Sequence, residues 1–320
     1  MNKIPCAVIG VGYLGRFHAQ KYKSLPMAEL IAVCDANPDT CDQVAAELSV
    51  PAVYDYRDLF GRVKAVSIAA STQAHYQIAK DCLLAGMHVL VEKPITETVE
   101  QAEELIKIAR KQGLKLQVGH LERFNAARLA LDPHLTNPQF IDSQRLAPFN
   151  PRGSDVNVIL DLMIHDIDLI QAMVNKPILH IDAHGTPILT KDIDIASARI
   201  TFANHCVANV TASRVSFKAE RKMRIFQPES YISLDFQNKE FAVFNKGEGE
   251  LFPGIPDIIK HQASFEKGDA LLEEIAAFLR AIDQNSSPLV TGVDGRNALA
   301  TAELITQLIQ TNLQQLYALN

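Results

Sequence analysis

The sequence predicts an α/β fold: a doubly wound parallel sheet, followed by an α+β domain with a large, mostly antiparallel sheet. Three observations carry this. A short apolar run at residues 6–9 leads through Gly10, Gly12 and Gly15 into a helical pattern (Leu14, Phe17, Ala19, Tyr22). Apolar runs and helical periodicity then alternate to about residue 120, which implies parallel strands with helices on both faces. Beyond about residue 123 consecutive period-2 runs replace the alternation, as expected for strands joined by short turns. The chain has 320 residues, enough for two cores. The expected domains are 1–121 and 122–320, with the last helix (about 295–316) able to pack back on the first.

The first fifteen residues organise the chain. Gly10, Gly12 and Gly15 form G-x-G-x-x-G between a strand and a helix. The first glycine permits a tight turn, the second lets a pyrophosphate approach the backbone, and the third lets the helix sit close to the strand. A diphosphate would rest on the helix N-terminus. Asp35 ends the second apolar run (residues 29–34), about 20 positions beyond Gly15. A carboxylate there accepts hydrogen bonds from a ribose hydroxyl and repels a 2′-phosphate, so NAD is expected over NADP. The competing reading is a plain βα turn with Asp35 as a cap. Strand, loop, helix and acid together favour a Rossmann dinucleotide site.

The remaining elements follow in order. Helices are expected at about 39–48, 73–84 and 100–111, and strands at 65–69, 88–91 and 115–118. In such sheets ligands bind past the carboxyl ends of the strands. The residues to inspect there, besides Tyr13 and Leu14 of the glycine loop, are Ser71, Thr72, Glu92-Lys93-Pro94 and Gly119-His120. Later come one strongly apolar helix (156–174), period-2 runs at 193–202, 207–215, 231–236 and 241–244, and helices at 270–283 and 295–316.

Composition excludes several classes. The apolar fraction of 48% is that of a globular protein. A net charge of −6 without a basic run argues against nucleic acid. The five cysteines show no C-x-x-C spacing and mostly fall in apolar runs, so they read as reduced thiols of a cytoplasmic protein. The N-terminal apolar stretch is too short for a signal peptide. No apolar stretch of about 18 residues suggests a membrane span.

Two constellations can carry chemistry. Pro94 holds Lys93 extended, so its side chain points off a strand end on the ligand edge. An ammonium there can hydrogen-bond a substrate hydroxyl and favour its alkoxide; a solvated lysine before a turn is the plain alternative. On a regular helix Asp161, His165 and Asp168 form one stripe that Asn157 extends. A neutral histidine accepts a hydroxyl proton near neutral pH, and a neighbouring carboxylate orients it. An ordinary solvent face, a metal site and a metal-dependent hydrolase are the rivals, and no metal is expected. His75 may pack or cap, or serve the cofactor. His120 follows a strand at the ligand edge. Arg123, Arg152, Arg214, Lys218, Arg221 and Arg224 are cations that could meet a substrate phosphate.

These stretches together resemble the Gfo/Idh/MocA oxidoreductase family. The resemblance lies in residues 10–19, in Ala70-Ser71-Thr72-Gln73-Ala74-His75, in Glu92-Lys93-Pro94 and in the D-x-x-x-H-x-x-D of Asp161, His165 and Asp168. It implies an NAD-dependent dehydrogenase acting on CH–OH groups, with Lys93 and His165 at the hydride-transfer site and Asp161 and Asp168 positioning them. The cofactor set would be Gly10, Gly12, Tyr13, Leu14, Gly15, Asp35, Ser71, Thr72, His75, Glu92 and Lys93. The second domain would present an open-faced sheet that binds the sugar and forms a homodimer or homotetramer.

A narrower resemblance rests on Gly119-His120-Leu121-Glu122-Arg123-Phe124-Asn125 and on residues 152–156 leading into 160–166. These stretches are similar to the subgroup that oxidises the 3-hydroxyl of UDP-N-acetylglucosamine or its uronic acid. Such enzymes supply an aminotransferase in lipopolysaccharide synthesis. The implied substrate contacts are Lys93, His120, Arg123, Arg152, Asp161 and His165. A dehydrogenase of a free sugar, inositol or sugar acid is the alternative within the class. A non-catalytic NAD-responsive regulator is the alternative outside it, although a sensor needs neither Lys93 nor His165.

Overall fold

The computed structural model describes residues 3–150, 156–265 and 268–318. The chain divides into two compact units, one of residues 1–121 and 269–299, the other of 122–268 and 300–320.

The first unit opens with β1 (Ile4–Ile9), α1 (Tyr13–Ser24), β2 (Ala28–Cys34), α2 (Pro38–Leu48) and β3 (Ala52–Val53). It continues with β4 (Ala65–Ile68), α3 (Thr72–Leu84), β5 (His88–Glu92), α4 (Val99–Gln112) and β6 (Leu116–Gly119). All six strands pair in parallel, in the order β3-β2-β1-β4-β5-β6. Every residue of β4 and β6 is buried, Ser67 and Gln117 included, as befits strands covered on both faces. The order reverses between β1 and β4, and a crevice opens at such a point beyond the strand ends. Local signals fix the helices. Thr98 and Gln101 make a reciprocal capping box at the start of α4, and Gly113, at φ 67°, ends it.

The second unit holds α5 (Ala126–Leu131), β7 (Phe140–Leu146) and a π-helical turn (Ile159–Met163) that runs into α6 (Ile164–Val174). Then come β8 (Ile178–Thr186), β9 (Ile195–Phe202), β10 (Val207–Ser213), β11 (Glu220–Gln227), β12 (Ser230–Asp235), β13 (Glu240–Phe252) and β14 (Ile255–Ser264). They form one sheet ordered β14-β13-β12-β11-β7-β10-β9-β8, antiparallel except where β7 meets β10. Strict alternation of burial gives the sheet two faces. Ile141, Val210, Ile225, Ile232 and Val243 are on the buried one. On the other, Phe140, Phe226, Tyr231 and Phe244 form a row with centroids 5.0–5.7 Å apart. β7 and β11 escape a reading of apolar runs because Ser143 and Arg145 occupy buried positions of β7 and charged residues fill β11.

The chain closes with α7 (Ala270–Asp283) and α8 (Gly292–Ala318). Here the structure departs from a second domain running from 122 to 320. Leu271, Ile275, Phe278 and Leu279 share one core with Cys6, Val8, Ala19, Tyr22 and Val33 of the first unit. The apolar stripe of α7 thus has its partner about 250 residues earlier in the chain. α8 belongs to the first unit up to Leu299 and to the second beyond it.

Candidate functional site

The glycine loop is built as its sequence requires. Gly10 has φ 81°, and a Cβ there would lie 2.6 Å from the Ala70 nitrogen. A Cβ on Gly15 would overlap the Gly10 carbonyl oxygen. Gly12 differs, because nothing lies within 4 Å of its Cβ position. The packing of the fold does not demand glycine there, and the space is open to an approaching ligand. α1 starts at this point with no side-chain cap and no acid in its first turn, which suits an anion. A cavity of about 430 Å³ adjoins the loop, lined among others by Gly10, Gly12, Asp35, Ala70 and Ser71.

Asp35 sits on that cavity, with Oδ2 accepting the Val11 N–H (2.8 Å) and Oδ1 the Asn37 N–H (2.9 Å). Its carboxylate is thereby fixed at the end of β2. Open glycine, uncapped helix and held carboxylate fit a dinucleotide. Tyr13 and Leu14 are exposed at the loop, their neighbour Phe17 packing edge-on to Tyr13. Ser71 and Thr72 open α3.

Two expected cofactor contacts are engaged elsewhere. The buried His75 ring faces two carbonyl oxygens, Pro94 O at 2.9 Å from Nδ1 and Ala70 O at 3.1 Å from Nε2. Burial holds its pKa below the ordinary value, and a neutral ring donates to only one of the two. His75 therefore ties together the loops after β4 and β5. Glu92 is also buried, and its carboxylate takes His18 Nε2 (3.0 Å) and the Lys93 N–H (3.3 Å). It orders the strand end next to Lys93, which is itself half-buried.

In the second unit the helix carrying His165 is not regular from its start. The π turn at Ile159–Met163 breaks the 3.6-residue period, so the expected stripe holds only from Ile164 onward. Asn157 is a cap rather than part of that stripe, its Oδ1 accepting the Ile159 and Leu160 N–H groups. Asp161 and His165 are half-buried.

Asp168 is buried, and Arg123 donates to both its oxygens (Nε 2.6 Å, Nη2 2.9 Å). Arg123, 7% exposed, is thus an internal ion-pair partner of Asp168. Asp166, which a single-stripe reading leaves among apolar residues, is buried too. It accepts Arg145 Nε (2.6 Å) and Ser143 Oγ (2.8 Å), while Arg145 also reaches Glu122 at 3.0 Å. His165 directly precedes Asp166 and lies three residues before Asp168, so both pairs anchor its helix.

Arg214 is likewise buried against Asp194, whereas Arg221 and Arg224 stay about half exposed. His120 is buried after β6. Arg152 lies outside the described residues. His18, Glu274, Arg145 and Asp166 are the site-supporting residues that sequence reasoning passed over. His18 lies in the resembling stretch at 10–19 and Asp166 in that at 160–166; Arg145 and Glu274 lie in neither.

Comparison with known proteins agrees with this geometry. Residues 4–120 match the model of an oxidoreductase family with an NAD-binding Rossmann fold, and residues 134–232 match a GFO/IDH/MocA C-terminal domain. The chain is 40% identical over 309 residues to UDP-N-acetylglucosamine 3-dehydrogenase of Acidithiobacillus ferrooxidans, covering 96% of this chain and 98% of that protein. A solved structure of that organism's UDP-N-acetylglucosamine 3-dehydrogenase GnnA superposes with a TM-score of 0.92 at 39% identity, over 98% of this chain and 100% of the other. More distant is scyllo-inositol 2-dehydrogenase (NAD(+)) of Bacillus subtilis, 25% identical over 332 residues, 97% of this chain and 94% of that one. Among the described residues no helix is long and apolar enough to cross a membrane.

Proposed function

Because the chain belongs to the Gfo/Idh/MocA oxidoreductase family, we propose that it oxidises the 3-hydroxyl of UDP-N-acetylglucosamine, or of a related UDP-sugar, to the 3-keto sugar. The observation that carries this is the 40% identity, over nearly the whole of both chains, to an enzyme named for that reaction. Gly10, Gly12, Gly15 and Asp35 hold the dinucleotide. A bound nicotinamide supplies the hydride acceptor. Lys93 donates a hydrogen bond to the sugar O3 and favours its alkoxide. His165 takes the O3 proton. Asp161 and Asp168 position this helix. His120, Arg123 and Arg152 are candidate substrate contacts, Arg123 being held by Asp168.

The deciding experiment incubates the protein with NAD and individual nucleotide sugars in oxygen-18 water, followed by mass spectrometry. A 3-keto sugar hydrates reversibly and takes up label even when little NADH accumulates. Label in UDP-N-acetylglucosamine is the expected result. No label in any nucleotide sugar, with NAD bound, would move the reading to free sugars and inositols.

The cofactor preference is a second proposal. Asp35 is held at the cavity by two backbone N–H groups, where its charge favours NAD over NADP. Asp35→Ala should raise KM for NAD by at least about tenfold, the loss of a charged hydrogen bond, and shrink the NAD-to-NADP ratio of kcat/KM. An unchanged ratio would remove Asp35 as the selector.

Self-association as a dimer or tetramer is supported by the half-exposed aromatic row on the sheet. A 3-keto product also calls for a consuming reaction, such as transamination.

A further inference from the structure

The interior of the first unit holds an ionisable cluster that the proposed reaction does not use. His18 on α1, Glu92 at the end of β5 and Glu274 on α7 bring one ligand-type atom each within 4.8 Å of one another. Their exposures are 0%, 8% and 0%. His18 Nε2 takes one Glu92 oxygen and the Lys93 N–H the other. β6 leaves the room for this, since a Cβ on Gly119 would lie 2.8 Å from the Glu92 carboxyl carbon. Four elements therefore converge on a single carboxylate next to Lys93. Glu274 is its neighbour, and neither Glu274 carboxyl oxygen has a hydrogen-bond partner.

Two carboxylates this close in a buried interior do not both ionise. The charge settles on Glu92. Burial is the largest influence on Glu92 and pushes its pKa up, but the hydrogen bond and charge of His18, with Lys93 and His75, outweigh burial and hold it below the ordinary value. For Glu274, burial first and then the charge of Glu92 both push the pKa well up.

We propose that Glu274 is kept as a neutral carboxylic acid which, with His18, positions the Glu92 carboxylate beside Lys93. It is a positioning residue, acting on the lysine through Glu92. That catalytic part rests on the role proposed for Lys93, whereas the protonation of Glu274 does not.

The other groups facing the cluster are silent near neutrality or common to both proteins compared. Tyr22 on α1, bonded to Ser67 Oγ at 2.9 Å, is raised by burial well above its ordinary value. Cys6 on β1 is pushed up to about 12, chiefly by burial. His75, His18 and Lys93 are present in wild type and variant alike, so a difference between the two isolates Glu274.

The test compares wild type with Glu274→Gln and Glu274→Ala, all with NAD bound. Infrared spectra at neutral pH should show a protonated carboxylic acid band in wild type that is missing from Glu274→Gln. Because the folded pKa is raised, the stabilising contribution is complete below the ordinary carboxyl pKa and is lost as pH rises through the folded one. Wild type should lose stability over that range relative to Glu274→Gln. Glu274→Ala should lower kcat on the order of tenfold with KM for NAD unchanged, and Glu274→Gln should restore it to within about threefold.

Absence of the acid band, a stoichiometric divalent metal by elemental analysis, an alanine variant with wild-type kcat, or a glutamine variant as slow as alanine would each overturn the proposal. The infrared and stability readings need only Glu274→Gln, the isostere of the neutral acid, and no substrate. They stand even if alanine fails to fold. If wild type turns over no nucleotide sugar, the proposed reaction fails while the protonation of Glu274 is still decided.

Discussion

Lys93→Met is expected to slow turnover of UDP-N-acetylglucosamine by about a hundredfold or more while NAD binding is nearly unchanged. Methionine keeps the length and the apolar stem but removes the ammonium, the group proposed to stabilise the developing alkoxide. The cofactor cavity should be indifferent to this change. Gly10, Gly12 and Asp35 lie past the ends of β1 and β2, and Asp35 is held by backbone groups of Val11 and Asn37. Single-turnover kinetics gives the chemical step, and calorimetric titration gives NAD affinity. His165→Ala should show the same split, because it removes the proposed proton acceptor and leaves the first unit untouched. Turnover near wild type in either variant would defeat the assignment. A parallel loss of NAD affinity would assign the residue to binding rather than to chemistry.

The second large effect is on stability. Arg145→Met should destabilise the protein by about 3–5 kcal/mol, as expected when one partner of a buried ion pair is removed. Asp166 is 1% exposed and would keep only the Ser143 hydroxyl as a neutral donor. Methionine fills most of the space, so the loss comes from the stranded carboxylate and not from a cavity. Adding Asp166→Leu should recover part of the stability, since replacing both members of a buried pair with apolar groups is often neutral, while Glu122 still lacks its Arg145 partner. Urea unfolding of the two single variants and the double variant measures this. A double variant no more stable than Arg145→Met would show that the pair acts through packing. Because Asp166 adjoins His165, the single variant should also lose kcat.

Local pattern carried much of this protein. The strand, the three glycines and Asp35 lie within one βα unit and its successor, and the structure places them on one cavity. The place of Lys93 just past a strand end is legible because Pro94 follows it, and α7 because its apolar stripe repeats with the helical period.

What failed to show was whatever depends on a partner far away in sequence. Asp168 read as one member of a polar stripe until Arg123, 45 positions earlier, was found bonded to it. Asp166 read as an interruption among apolar residues until Arg145 met it from β7. By sequence His75 suits packing, capping or the cofactor alike, and the two carbonyl oxygens around its ring, one of them 19 positions away, are visible only in the fold.

The sequence by itself determined the doubly wound first sheet, the dinucleotide loop with its acid and the change to a mostly antiparallel second sheet. Periodicity and glycine spacing act over a few residues, so they can be read from a single chain. Only the tertiary structure decided that α7 packs against α1 and β1, which distant arginines pair with the acids of α6, and that Glu274 stands beside Glu92 about 180 residues away. Burial makes such pairings obligatory, because an ionised group in the interior must find a partner or give up its charge. Which partner it finds is set by how the elements pack.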